Sequence, residues 1–207
     1  MDIEEFLKEA IREDIGRGDL FSRVFNSKKI EAFIKAKSDG VLAGRLYLDK
    51  LAKLYELDFK WNFDDSCEFK KGDILVEIKG DSNILLSLER VILNILLHAS
   101  SIATKTKQYV DELKGFNTIL LDTRKTRPLL RNFEKYAVRC GGGVNHRMGL
   151  DDALMLKDTH LKSIDNLEEF MKNVRKKIPF TSKVEIECES FEDAKRAFRV
   201  GADIVMC

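Results

Sequence analysis

The chain is poor in the residues that would mark several common protein classes. Two prolines, Pro128 and Pro179, occur in 207 residues. No stretch rich in proline, glycine or serine appears, so no linker or low-complexity tail is expected. Four cysteines, Cys67, Cys140, Cys188 and Cys207, never fall at C-x-x-C spacing. That argues against a zinc site and a dithiol pair, and a few scattered thiols suit a reducing cytosol. An excess of one charge is missing too: 36 Lys+Arg against 35 Asp+Glu leave +1. A globally basic nucleic-acid binder and an acidic disordered tail are thereby disfavoured. The first residues carry Asp2, Glu4 and Glu5 without a long apolar run and do not read as a signal peptide. The most apolar stretch, 84–97, is interrupted by Ser87, Glu89, Arg90 and Asn94 and falls short of the ~20 residues that span a bilayer. What is present, 44% hydrophobic and 34% charged residues, fits a packed core with a solvated surface. The expectation is a cytoplasmic protein that binds neither nucleic acid nor membrane.

Two rhythms follow along the chain. Ile3, Phe6, Leu7, Ala10 and Ile11 recur at helical spacing behind Asp2, with Gly16 and Gly18 as the stop. Ile30, Ala32, Ile34 and Ala36 alternate as a strand, and Asp39-Gly40 supplies a turn. Residues 46–57 are helical in period. Phe59, Trp61 and Phe63 alternate, as do Ile74, Val76 and Ile78. This predicts an N-terminal α+β domain, mostly antiparallel, over residues 1–102. Beyond it, strands at 118–122, 153–157, 183–188 and 203–207 alternate with helices at 129–140, 167–177 and 191–200. Such alternation predicts parallel βα units over residues 103–207. Four strands do not close a barrel of eight, and the chain ends inside the last of them, with an edge left unpaired. An incomplete, C-terminally truncated α/β barrel is therefore expected, and a longer natural protein.

Four constellations carry chemistry. Ser87, Arg90, Asn94 and His98 share one face of an otherwise apolar helix. If that helix is buried, Arg90 needs an anion; an arginine reaching solvent, or one paired internally, fits equally well. Asp122-Thr123-Arg124-Lys125-Thr126-Arg127 sits at the C-terminal end of an expected strand, where parallel βα folds bind ligands. Its three cations form an anion trap rather than a solvated loop, since arginine grips carboxylate or phosphate with paired hydrogen bonds. Arg139 through Arg147 contains Gly141-Gly142-Gly143, then Asn145-His146-Arg147; the glycines read best as a helix cap and turn, with His146 and Arg147 as donors. Finally, alternation turns Glu185 and Glu187 away from Val184, Ile186 and Cys188, and places Lys157 with Ala153 and Met155. Acids and a lysine lining a barrel interior are costly without a partner, so a site is favoured over a structural Lys–Glu pair. Together these segments predict a deep cationic pocket for a ligand with several negative charges, with a metal able to reconcile phosphate and carboxylates.

The run LLDTRKTRPLLRNFEKYAVRCGGGVNHRMGLDDALMLKDTHL, with EDIGRGDL, GVLAG, ERVILNILLHASSIATKT, VEIECES and GADIVMC, resembles the quinolinate phosphoribosyltransferase family over essentially the whole chain. The resemblance implies an N-terminal sandwich-like domain, an α/β barrel, and a homodimer with active sites at the subunit interface. It implies transfer of phosphoribose from phosphoribosyl pyrophosphate to quinolinate, with magnesium, giving nicotinate mononucleotide, pyrophosphate and carbon dioxide in NAD biosynthesis. Carried over by motif, Arg90 reaches the partner's site; Thr123, Arg124 and Lys125 form the strand-end cluster; His146, Arg147 and Arg139 hold carboxylates. Lys157 faces the reacting centre and Glu187 lies near the ribose and metal. Lys125, Lys157 and Glu187 are the expected catalytic residues, and no resident metal ligand is assigned.

The chain departs from the family where Thr126-Arg127-Pro128-Leu129 replaces a usual threonine, proline and glycine, at Thr159 and Leu161, and at Ser101. The family's metal-linked aspartate and glycine-rich phosphate loops would lie beyond Cys207. Two alternatives stand beside this reading: a related phosphoribosyltransferase-like protein for another aromatic acid, and a non-catalytic anion-binding fragment.

Overall fold

The structure, a computed structural model, describes residues 2–207. By contacts the chain divides into two compact units between His146 and Arg147. The sequence-expected boundary at 102/103 falls inside one long helix of the first unit.

The first unit opens with α1 (Ile3–Ile15). The Asp2 carboxylate accepts from the Glu5 amide at 2.8 Å, and Gly16 ends the helix at φ +57°, the cap and stop expected for these residue types. Leu7 and Ile11 are its buried stripe. Three antiparallel strands follow in the order β1 (Lys29–Lys35), β5 (Ile74–Asp81), β3 (Asp58–Trp61), and β2 (Gly40–Val41) pairs with β4 (Glu68–Phe69). The alternation of Ile30, Ala32 and Ile34 appears as half-buried residues between exposed ones. Between the strands lies α2 (Arg45–Leu54).

The spine of the unit is α3 (Ser82–Glu112), 31 residues long, with Asp81 accepting from the Asn83 and Ile84 amides at its start. By length and composition alone this helix could cross a bilayer. Here Leu88, Ile92, Ala99 and Ala103 are buried against Leu7, Leu42, Leu48 and Val76. Each such buried leucine contributes about 1.5–3 kcal/mol.

One open choice is decided in this unit and one expectation fails. Arg90 is exposed, because the stripe of Ser87, Arg90, Asn94 and His98 lies on the outward edge of α3. Water therefore solvates the cation, the second of the two readings its helix left open. The expected strand 118–122 is reduced to one parallel bridge, Leu121 with Val144, held by Asp122 N–H to Val144 O at 3.1 Å and Val144 N–H to Leu120 O at 2.9 Å. The facing segment is two glycines and a valine. It offers too little side chain to extend a ladder.

Between them, α4 (Arg131–Cys140) packs on α3. A methyl at Gly141 would meet the Ala103 carbonyl at 2.4 Å, and Gly142 takes φ +87°. The glycine run thus caps α4 and lets it approach α3.

The second unit is a parallel three-stranded sheet in the order β6 (Leu154–Leu156), β7 (Val184–Glu187), β8 (Ile204–Met206). Its helices are the short α5 (Asp158–Leu161), then α6 (Leu167–Lys177) and α7 (Phe191–Arg199). Asn166 and Ser190 cap the two longer ones. Leu156, Val184, Ile186, Met171 and Ala197 form its core. The fold is α/β, and the described parallel sheet does not close.

Candidate active site

In the first unit the chemistry gathers around the segment 122–127. Asp122 stands at its start with a side chain 8% exposed, paired at 2.5 Å with the ammonium of Lys135, which is 1% exposed. Lys135 Nζ also donates to the His146 carbonyl at 2.8 Å. The same carboxylate accepts from the His146 amide at 2.8 Å and from the Asn145 side-chain amide at 2.6 Å. Asn145 further donates to the Lys135 carbonyl at 2.9 Å and accepts from Arg139 Nη1 at 2.5 Å. The charges are compensated and the lone pairs used, the condition under which a buried pair is tolerated.

Beyond Asp122 the chain turns, with the Lys125 amide donating to Thr123 Oγ1 at 3.0 Å. Thr123 and Lys125 are exposed and Arg124 is half-buried. Its Nε is enclosed without a hydrogen-bond partner, and such an orphaned donor costs about 1–3 kcal/mol until an acceptor arrives. Thr123, Lys125, Thr126, Arg127, Asp122 and Lys135 line part of a cavity of 320 Å³.

Arg127 differs from its neighbours. Its Nε donates to Glu134 Oε1 at 2.6 Å and its amide to Glu134 Oε2 at 3.3 Å. Its Nη2 lies against the His98 ring, which stacks on Phe133 with centroids 5.5 Å apart. Burial first, and the Arg127 charge second, hold His98 below its usual pKa. A neutral imidazole can accept from a guanidinium, so Arg127 is engaged within the protein. Leu129 takes φ +64°, the left-handed region that a glycine enters without strain. This is where the family resemblance led one to expect glycine.

In the second unit, Lys157 follows the last residue of β6 and caps α5, and Glu187 takes the last position of β7. The register Leu154 with Val184 and Leu156 with Ile186 carries them to the same C-terminal edge. Lys157 is exposed and Glu187 half-buried, and among the described residues neither makes an ion pair with the other, so the structural-pair reading has no support. Glu185, one position in from the edge, is buried. Arg147 Nη1 donates to the Ala153 carbonyl at 2.8 Å. Arg90 lies on α3, away from the 122–127 cavity lining. Among the described residues no three His, Cys, Asp or Glu side chains gather to hold a metal.

Sequence reading overlooked Lys135 and Glu134. One signal existed: Lys135 interrupts Phe133, Tyr136, Ala137 and Cys140, the buried face of α4. A lysine there needs a buried acid.

Two family models match: "Quinolinate phosphoribosyl transferase, N-terminal domain" over residues 19–100 and the C-terminal domain of the same name over residues 102–207. The chain is 38% identical over 209 residues to a Bacillus subtilis (strain 168) protein named "Probable nicotinate-nucleotide pyrophosphorylase (carboxylating)", covering 100% of this chain and 72% of that protein. It is 32% identical over 198 residues to the nicotinate-nucleotide pyrophosphorylase (carboxylating) of Homo sapiens, covering 95% and 67%. Among solved structures, the crystal structure of NadC from Streptococcus pyogenes superposes with a TM-score of 0.91 at 40% identity, over 98% of this chain and 73% of that one. Matches of this extent in sequence and in backbone, over both halves of the chain, make it a member of the quinolinate phosphoribosyl transferase family.

Proposed function

We propose that this protein is a nicotinate-nucleotide pyrophosphorylase (carboxylating), a pentosyltransferase. It joins quinolinate to the ribose of phosphoribosyl pyrophosphate with loss of carbon dioxide, giving nicotinate mononucleotide and pyrophosphate for NAD biosynthesis in the cytoplasm. The observation that carries the reading is the family match over both halves of the chain. The site chemistry agrees. Quinolinate bears two carboxylates, and the cavity lined by Thr123 and the exposed Lys125 offers a donor and a cation to such a group.

In this reading Thr123, Arg124 and Lys125, with His146, Arg147 and Arg139, bind and orient the anionic groups. Lys125 and Lys157 offer ammonium charge to the departing pyrophosphate or the carboxylate to be lost. Glu187 offers negative charge to the sugar carbon as its bond to pyrophosphate breaks. Arg90, exposed on α3, is the residue we assign to a partner's site in a homodimer. The second unit is read as part of an α/β barrel following an N-terminal domain that ends near residue 102. Magnesium enters with the phosphoribosyl pyrophosphate substrate, whose phosphates it neutralises.

The test is direct. The purified protein is mixed with quinolinate, phosphoribosyl pyrophosphate and magnesium, and nicotinate mononucleotide is followed by chromatography. Product with quinolinate and none with nicotinate is expected. A folded protein that makes no product overturns the reading, and product from another aromatic acid alone redirects it.

A further inference from the structure

We infer that Lys135 is a positioning residue that fixes two substrate-binding segments at once. The proposal rests on the function above for its meaning and on geometry for its content. One ammonium, 1% exposed, touches the carboxylate of Asp122 at 2.5 Å and the carbonyl of His146 at 2.8 Å. Asp122 opens the segment bearing Thr123, Arg124 and Lys125; His146 closes the first unit. Those segments are brought together by a group that belongs to neither of them, on a helix between them in sequence.

The arrangement is more than a salt link. Asp122 Oδ1 accepts from both Lys135 Nζ and the His146 amide, and Oδ2 accepts from Asn145 Nδ2. Asn145 returns to the Lys135 carbonyl at 2.9 Å. The lysine therefore sets the position of Asp122, and Asp122 sets the backbone of Asn145-His146. The neighbouring residue on α4, Glu134, holds the far end of the same segment through Arg127. Consecutive helix residues thus hold the two ends of one cationic loop. The loop's own contacts are few, so its shape is imposed from α4.

A buried ion pair gives little net stability over apolar replacements, whereas removing one partner strands the other charge. That asymmetry separates positioning from stability. Lys135→Met and Asp122→Asn are compared with the double variant Asp122→Asn/Lys135→Met. Each is followed by melting temperature, by limited trypsin cleavage after Arg124 and Lys125, and by KM and kcat for quinolinate.

Lys135→Met is expected to lower the melting temperature, to speed cleavage in the loop at least fivefold, and to raise the quinolinate KM at least tenfold. The double variant is expected to regain most of the melting temperature while loop cleavage and KM stay raised. If cleavage and KM return to normal with stability, Lys135 is merely structural and the inference is wrong. It is equally wrong if Lys135→Met leaves the loop resistant to trypsin. Should Lys135→Met fail to fold, the double variant decides alone. An unsubstituted protein without activity would sink the functional reading, yet the cleavage arm would still judge the positioning role.

Discussion

The two units treat their charged residues in opposite ways. In the first, Asp122 pairs with Lys135 and Asn145, and Glu134 pairs with Arg127, while Thr123 and Lys125 stay exposed. In the second, Lys157 just past β6 and Glu187 at the end of β7 lie at one edge, and neither is engaged in an ion pair with the other. The contrast separates two jobs. The charges that fix the loop are buried and satisfied; those at the strand ends are placed by the backbone and left open. A carboxylate pinned by strand register needs no side-chain partner to stay in place, whereas a six-residue loop does.

Breaking the network should give the largest effect. Asp122→Ala leaves the Lys135 ammonium buried without its anion, and a loss of about 3–5 kcal/mol is expected, read as the urea unfolding midpoint. A loss below about 1 kcal/mol would mean that water reaches the lysine.

The opposite signature is expected in the second unit. Glu187→Gln and Lys157→Ala should change stability by no more than ~0.5 kcal/mol while lowering kcat by about 10²–10³-fold. Denaturation curves and steady-state rates on the same samples check both halves. Variants that unfold easily yet turn over normally would invert the comparison.

A smaller effect concerns His98, whose ring meets Arg127, Glu134 and Phe133. Its pKa is lowered in the folded protein from 6.5, so the unfolded chain takes up the proton first as pH falls. The stability linked to the neutral ring is complete above the unfolded value and declines as pH drops below it, until the folded ring also protonates. Melting temperature between pH 7.5 and 5 should therefore fall less steeply in His98→Gln than in the parent. An identical slope would remove His98 from the account.

The smallest effect is at Leu129, 83% exposed and at φ +64°. Leu129→Gly relieves strain of about 1–2 kcal/mol against some loss from a more flexible unfolded chain. A net gain of up to ~1 kcal/mol is expected by thermal melting. Destabilisation instead would show that the leucine side chain makes a contact worth more than the strain.

Much of this was legible along the chain where the signal is local. The helix over 167–177 is legible to the residue, and the structure shows Leu167, Met171 and Val174 as its buried stripe. The strand over 183–188 was legible too, although Glu185 is buried along with Val184 and Ile186. Local pattern failed at 118–122, where an apolar run reads as a strand whatever faces it. Only the glycines of the facing segment reveal that there is little to pair with. At Arg90 it left the choice open, since a helix with apolar residues on most sides does not announce which edge meets water. Among the cations of the 122–127 segment, sequence alone could not tell Arg124 from Arg127. The first has an enclosed nitrogen without a partner; the second is tied to Glu134 and His98.

The sequence by itself determined most of the longer elements, the first helix cap, the family and the segments that carry charge, because each is written in residues a few positions apart. The tertiary structure alone decided which charges are spent on holding the protein and which remain for a ligand. Asp122 and Lys135 lie 13 residues apart and His98 and Arg127 lie 29 apart. Pairings at such separations are set by how helices pack, through the burial that makes an unpartnered charge costly.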